Sequence, residues 1–559
     1  MYPYLSILIA LPVLTAIVLA FVPRDARGVH RNLTLIVAIT EFLISLGMWF
    51  SFDSDPAKIF QFREQLGGTV FGIRLMLGID GPALLLIMLT TFLMPLVVLS
   101  TYTSIQDRVR EFMIALLLME AAVIGTFSSL DLLVFYMFYE FMLIPMALLI
   151  GVWGGERRIY AAIKFFLFTL AGSLLMLVAI IVLHIKAGGQ TFSIESILAS
   201  LGPDGLGQSE QRWLFLAFLL AFSVKIPLFP VHTWLPDAHT EAPTAGSVIL
   251  AGVLLKMGIY GMYRFMIPLF PEAMGFFSPA LMIISVVGII YGAFVAFAQK
   301  DIKRLVAYSS VSHMGFVMLG LIAMTPTAVT GSILQMINHG ISTGALFLLV
   351  GMIYERRHTR AISDYGGIAK IMPAFAVCFI IVTLSSIGLP GTNGFVGEFL
   401  ILEGTLKEAI AGRHSFDSWA LLSNACVILA ATGIILGAVY MLTLVRRVFF
   451  GPLNNPANEK LKDLSLREWA ILMPLIASIF VIGLQPGLLT DKYEKNVQAY
   501  LKEYRPRVAK IRDPTRKALF YIKDNQASST LSTQPGTDVH TVAQSPNPAT
   551  VYGDSNHAP

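Results

Sequence analysis

The sequence predicts an all-α, polytopic membrane protein of about fourteen transmembrane helices, with two inverted five-helix repeats and two interrupted helices. Three observations predict it. Hydrophobic residues make up 56% of the 559 residues and charged residues only 13%, with a mean hydropathy of +0.72, whereas about a quarter of a soluble domain is charged. Apolar runs of about 20 residues, the length that crosses the hydrocarbon of a bilayer, recur along the chain. Two runs are broken by Pro and Gly at depth, which lipid tolerates only where the backbone is sheltered by protein or lines a wet cavity.

Taken in order, the runs place spans at 3–22, 31–52, 81–102, 111–128, 130–151, 160–185, 212–231, 243–266, 277–298, 303–324, 328–354, 371–410, 420–445 and 467–488. The first lacks a basic segment before its apolar stretch and runs on into further spans, so it reads as a retained helix. No Arg-rich, acid-poor leader precedes it, which points to a bacterial plasma membrane or an organelle-encoded gene. The seventh span is interrupted at Pro227 and Pro230. The twelfth is too long for one straight helix and breaks at Gly388-Leu389-Pro390-Gly391-Thr392-Asn393-Gly394. Breaks in two corresponding places point to inverted repeats with a site at each break. The echo of Leu133-Val134-Phe135-Tyr136 in Leu305-Val306-Ala307-Tyr308 fits a repeat of roughly five helices. The chain then divides into 1–110 (helices 1 to 3), 111–266 (first repeat, helices 4 to 8), 277–445 (second repeat, helices 9 to 13), 467–488 (helix 14) and 490–559, a polar tail expected to be disordered from about 525.

Lys and Arg set the orientation. Arg24, Arg27, Arg31, Arg108, Arg110, Arg157, Arg158, Lys300, Lys303, Arg304, Arg356, Arg357, Arg360, Arg446, Arg447, Lys460 and Lys462 fall in alternate loops. The other loops hold chiefly Lys58, Arg63, Arg74, Lys186, Lys407 and Arg413. The positive-inside rule then predicts both termini on the periplasmic side. With a net charge of +5, the basic character follows from this orientation, and no nucleic-acid partner is expected. Cys378 and Cys426 lie in apolar runs without a second Cys or His at ligand spacing, so no metal or cofactor is expected in this chain.

Six ionisable residues fall near the middle of apolar spans: Glu140, Lys225, Lys256, His313, His339 and, past the second break, Glu398. A charge at the helix centre costs about 2.5 to 3.5 kcal/mol on insertion scales, and such residues usually face a bundle interior and mark an ion path. Burial lowers the pKa of a lysine and raises that of a carboxylate, so a Lys and a Glu that meet can share a proton near neutral pH. Histidine between them adds a relay group. Lys225 is expected to be partly neutralised by Glu140. Pro227 removes a backbone donor and frees a carbonyl, which is expected to help hydrate that lysine. Gly391 and Gly394 let the backbone bend and approach closely ahead of Glu398. A single buried carboxylate or lysine can also be a packing ion pair, and a lone His an interhelical hydrogen bond. Glu41 and Glu120 read as structural. His232, Asp237, His239 and Glu241 read either as a solvated turn or as a cytoplasmic inlet for protons.

Phe135-Tyr136-Met137-Phe138-Tyr139-Glu140 with Ile144-Pro145-Met146, Gly151-Val152-Trp153-Gly154-Gly155, and Lys225-Ile226-Pro227 with His232-Thr233-Trp234-Leu235-Pro236-Asp237-Ala238-His239 resemble the proton-translocating, antiporter-like subunits of respiratory complex I. So do Ala307-Tyr308-Ser309-Ser310 with Ser312-His313-Met314-Gly315, and Leu389-Pro390-Gly391-Thr392 with Gly397-Glu398-Phe399. The resemblance covers roughly residues 1 to 490. It implies Glu140 and Lys225 as a charge pair, Lys256 as central connector, His313 and His339 along a hydrated axis, and Glu398 as the terminal station. It also implies that NADH, FMN, iron–sulfur clusters and quinone are handled by partner subunits, with antiporter-like subunits L and N on either side. The station after the second break is a glutamate here, Glu398, whereas subunits L and N resemble each other in using lysine, and subunit L carries a long amphipathic helix after its fourteenth span. A cation/proton antiporter or a membrane-bound hydrogenase complex shares this ancestry and would use the same lysines and glutamates.

Overall fold

Apolar runs become helices, and the polar residue at the head of a run decides where its helix starts. A computed structural model describes residues 2–55, 57–70, 73–202, 205–411 and 418–512; Arg413 and the tail expected to be disordered lie outside them. The chain opens with α1 (Tyr4–Phe21) and α2 (Arg27–Ser51), then an antiparallel hairpin of β1 (Gln61–Val70) and β2 (Ile73–Ile79). There follow α3 (Gly81–Ser104), α4 (Val109–Ser128), α5 (Leu132–Phe141), α6 (Leu143–Trp153), α7 (Arg158–Lys186), α8 (Ile194–Leu201), α9 (Gln208–Lys225) and α10 (Trp234–Glu241). Next is one long helix made of α11 (Thr244–Ile249), α12 (Lys256–Gly261) and α13 (Ile267–Leu269), joined by π-helical turns at Leu250–Leu254 and Met262–Met266. The rest is α14 (Pro271–Phe297), α15 (Ile302–Ala323), α16 (Pro326–Arg357), α17 (Pro373–Ser386), α18 (Asn393–Ala411), α19 (Ser418–Phe449), α20 (Leu466–Leu484), α21 (Gly487–Thr490) and α22 (Glu494–Arg512).

Asp80, Asp131, Asp301 and Thr325 cap α3, α5, α15 and α16 by accepting first-turn N–H groups. Ser465 and Glu468 form a capping box on α20.

Twelve helices among the described residues are long and apolar enough to cross a membrane. The two expected spans missing from that set are the interrupted ones. The seventh stops as a helix at Lys225 and resumes as α10, and the twelfth splits into α17 and α18. At the first break Pro227 has no N–H to give; Leu228 N–H donates to Ser223 O (3.0 Å) and the Trp234 indole N–H donates to Val224 O (2.9 Å). The freed carbonyl is thus taken by protein, and Lys225 is 1% exposed, so the expected hydration of this lysine by its own break is not what the local backbone provides. At the second break Gly391 has φ +90°, which a side chain would strain, and a Cβ on Gly394 would lie 2.1 Å from Ser385 O.

Hydrogen bonds tie the loops into two faces. On one, Arg31 binds Ile105 O (2.6 Å), the Trp153 indole binds Asp107 O (2.9 Å), Arg360 binds Thr240 O, and Arg356 binds Lys462 O (2.8 Å). On the other, Leu5 N–H donates to Glu64 (2.8 Å), Arg63 pairs with Glu195 (2.5 Å), and Tyr493 donates to Thr330 O (2.9 Å). Two elements were not foreseen. The hairpin carries a legible period-two pattern, Ile73, Leu75, Leu77 and Ile79. In the segment read as the start of the polar tail, α22 packs on α14 and α16.

Candidate functional site

The long helix carrying Lys256 is wholly buried, and Lys256 itself is 0% exposed. It begins α12 just after a π-helical turn, where the irregular ladder leaves Ala251 O to accept from Lys256 Nζ. The same ammonium donates to His339 Nδ1 on α16 at 2.8 Å. The His339 ring stands 5.7 Å, centroid to centroid, from that of His313 on α15. His313 Nδ1 in turn meets Glu398 Oε1 on α18 at 2.9 Å. Four of the six expected residues therefore form one row across four elements: Lys256, His339, His313, Glu398.

Neighbours hold that row in place. Gln335 Nε2 donates to Glu398 Oε1 (3.1 Å), and Ser386 Oγ lies 3.4 Å from His313 Nε2. Asn338 donates to Asn393 O at the start of α18 (2.7 Å), and Ser385 donates to Asn393 Oδ1 (2.5 Å), so the second break is stitched to α16 beside the histidines. A small cavity here is lined by both His313 and His339, with room for the centre of about one water molecule (about 10 Å³).

The other two expected residues lie nearby. Lys225, the last residue of α9, sits over the Tyr139 ring (4.7 Å) and 3.9 Å from Met142 Sδ. Glu140 is partly buried and lies within electrostatic reach of Lys225. Among the described residues no ion pair within 4.0 Å joins them, and no hydrogen bond joins Lys225 to Lys256. The helices of the two lysines do touch at the backbone: a Cβ on Gly258 would lie 2.8 Å from Phe222 O.

The alternative of a solvated turn does not hold for the two histidines of residues 232 to 241, while Asp237 and Glu241 stay partly exposed. His232 is 2% and His239 0% exposed, because α10 folds back against α7 and α15. The His239 ring stacks on Phe347 (4.6 Å) with both nitrogens unpartnered among the described residues, and feels the charges of Lys303 and Lys256. Asp237 pairs with Lys164 (2.6 Å). Glu41 and Glu120, read as structural, face each other between α2 and α4.

Sequence reasoning missed Lys303, taken only as an orientation marker. It is 7% exposed and donates to Ala242 O. It also missed the polar face of α16, whose signal was present: Gln335, Asn338, His339, Ser342 and Thr343 recur at helical spacing inside an apolar span.

This arrangement defines a class: a multi-span membrane protein with two helix breaks and a buried row of titratable groups, hydrogen-bonded at both ends, beside the second of them. The model of the NADH:quinone oxidoreductase/Mrp antiporter transmembrane family matches residues 129–411. The chain is 45% identical over 514 residues to NADH-quinone oxidoreductase subunit M of Rhodobacter capsulatus, covering 89% of this chain and 96% of that one. It is 43% identical over 492 residues to NADH-ubiquinone oxidoreductase chain 4 of Marchantia polymorpha, covering 88% and 95%. A chain in the structure of respiratory complex I from Thermus thermophilus with bound NADH superposes with a TM-score of 0.78 at 34% identity, covering 89% of this chain and 99% of that one. The chain belongs to the NADH:quinone oxidoreductase/Mrp antiporter family, among its subunit M and chain 4 members.

Proposed function

We propose that the chain is a proton-translocating membrane-arm subunit of an NADH-quinone oxidoreductase, passing protons through buried Glu, Lys and His side chains while quinone reduction proceeds in other subunits. The observation that carries this is the row from Lys256 through His339 and His313 to Glu398, with 2.8 Å and 2.9 Å contacts at its ends. Those are hydrogen-bond distances, at which a proton passes without either group leaving its place. The one longer step, between the two rings, falls where both histidines line a cavity with room for about one water molecule.

Glu140 and Lys225 form the input pair. When their separation changes, the lysine's hold on its proton changes with it, and the proton passes toward Lys256. His239, between Lys303 and Lys256, serves as the cytoplasmic inlet, with His232 and Asp237 beside it. Pro227, Pro230, Pro390 and Gly391 provide the breaks at which the backbone adjusts. Residues 111–266 and 277–445 act as the two inverted repeats. With both interrupted segments counted as crossings the chain spans fourteen times, and the clustering of Arg and Lys on one loop face supports a cytoplasmic assignment for that face and periplasmic termini. Subunits L and N flank it in a bacterial inner membrane, and NADH, FMN, iron–sulfur clusters and quinone are bound by other chains.

The test is proton pumping in inverted vesicles from Lys225→Ala, Glu398→Ala and Glu140→Gln strains, with assembly checked on native gels. The expected outcome is assembled complex with pumping through this chain abolished. Assembled variants that pump at the wild-type ratio of protons to electrons overturn the reading. They would leave the chain a passive scaffold.

A further inference from the structure

The helix that carries Lys256 carries a second buried cation. Arg264 lies eight residues on, about 12 Å of helix rise, inside the π-helical turn Met262–Met266. The helix starts beside the Arg-rich loop face, where Arg360 binds Thr240 O. Arg264 lies toward the other face, its guanidinium carbon 3.6 Å from the centre of the Phe60 ring just ahead of the hairpin. Exposure rises along the way, from 0% at Lys256 through 1% at Tyr260 to 9% at Arg264. This is the straight way out beneath Lys256, and it competes with the row that runs sideways to Glu398.

Groups that can take a proton lie on that straight way. Tyr260 is one turn from Lys256, and Asp80, buried at the head of α3, is within electrostatic reach of both Tyr260 and Arg264. A proton leaving Lys256 toward this face would find a hydroxyl and then a carboxylate to land on. Arg264 opposes each landing. A guanidinium keeps its charge inside a protein, and this one is not used up: its Nε and Nη2 have no hydrogen-bond partner among the described residues, and no ion pair there joins it to Asp80. Asp80 Oδ1 instead accepts from Ala83 N–H at the α3 cap (2.9 Å). Tyr500 fastens α22 over the same turn, with its ring 4.4 Å from that of Tyr263 and its hydroxyl donating to Tyr263 O (2.7 Å). A proton held one helical turn from the guanidinium, about 6 Å, is repelled by about 2.8 kcal/mol at an effective dielectric of about 20, a factor of about a hundred in occupancy. A fixed arginine is a barrier by which a pore excludes protons. We propose that Arg264 is an electrostatic stop that closes the straight way out beneath Lys256, so that the proton leaves only along the row to Glu398. The proposal rests on the proton-translocating reading of that row.

The test uses the intact complex in sealed vesicles without NADH. A pH step is imposed while potassium and valinomycin hold the membrane potential at zero, and a pH-sensitive dye inside reads the proton leak per assembled complex above that of protein-free vesicles. Arg264→Gln should leak about a hundredfold faster than the wild type. Arg264→Met, which keeps the length of the stem over Phe60, should leak likewise and serves if the amide variant fails to assemble. Arg264→Lys keeps the charge and should stay tight. Adding Lys256→Met to Arg264→Gln should stop the leak, and adding Glu398→Ala should not. A tight assembled complex lacking the Arg264 charge, an equal leak in Arg264→Lys, or a leak that survives Lys256→Met would each overturn the proposal. Pumping by Glu398→Ala alone tests the row, so a tight Arg264→Gln complex beside a Glu398→Ala complex that does not pump removes the stop and leaves the row standing.

Discussion

Replacing His339 with leucine tests the row at its most exacting point. The imidazole accepts from Lys256 at 2.8 Å and faces His313 at 5.7 Å between centroids. Leucine leaves no titratable group between Lys256 and His313, and the remaining gap exceeds the roughly 3.2 Å within which a proton moves directly. A positioned acid–base group contributes about 10² to 10⁴ in rate, so transport through this chain should fall at least about a hundredfold. The variant also strips Lys256 of one of its two acceptors. A buried donor left short costs about 1 to 3 kcal/mol, more if charged, so assembly should weaken as well. His339→Gln separates the two effects: the amide oxygen can accept from Lys256 and restore assembly, yet an amide cannot carry the proton. The assay is NADH-driven acidification of inverted vesicles, read as protons per electron and normalised to assembled complex on native gels. If His339→Leu assembles and pumps at the wild-type ratio, protons do not pass through His339.

Two further substitutions probe the frame. Gly394→Ala forces a methyl group to 2.1 Å from Ser385 O, so the break must open by about 1 Å; a cost of roughly 1 to 3 kcal/mol should appear as a lowered unfolding temperature of the solubilised complex, and an unchanged temperature would show that the break is loose. Arg356→Ala removes a two-pronged pair to Glu468 at 2.6 and 2.7 Å and strands that nearly buried carboxylate, a loss of about 3 to 5 kcal/mol. The level of assembled chain should drop sharply, and a paired Arg356→Met/Glu468→Met change should recover part of it.

Most of the fold was legible because lipid permits so few solutions. An apolar run of the right length has to be a helix, and Pro227, Pro390 and Gly391 have to interrupt one. The hairpin at 61–79 carried its alternation in plain view but was passed over as a connecting loop. The helix at 494–512 was obscured by its own composition: its polar face reads as tail, while Tyr493 and Tyr500 fasten it through bonds of 2.9 and 2.7 Å to residues 163 and 237 positions away.

The candidate residues were legible for a related reason. A lysine or glutamate in the middle of an apolar span is costly wherever it points, so Glu140, Lys225, Lys256 and Glu398 announce themselves one at a time. What periodicity could not supply is their pairing. That His339 belongs to Lys256, that His313 belongs to Glu398, and that His239 is buried against Phe347 depend on which helix faces meet, and residues about 85 to 110 positions apart carry no local sign of one another. The sequence alone determined which charges the membrane must shelter. The packing of α12, α15, α16 and α18 decided the order in which they touch, because a hydrogen bond is specified in ångströms and only the assembled bundle sets distances on that scale.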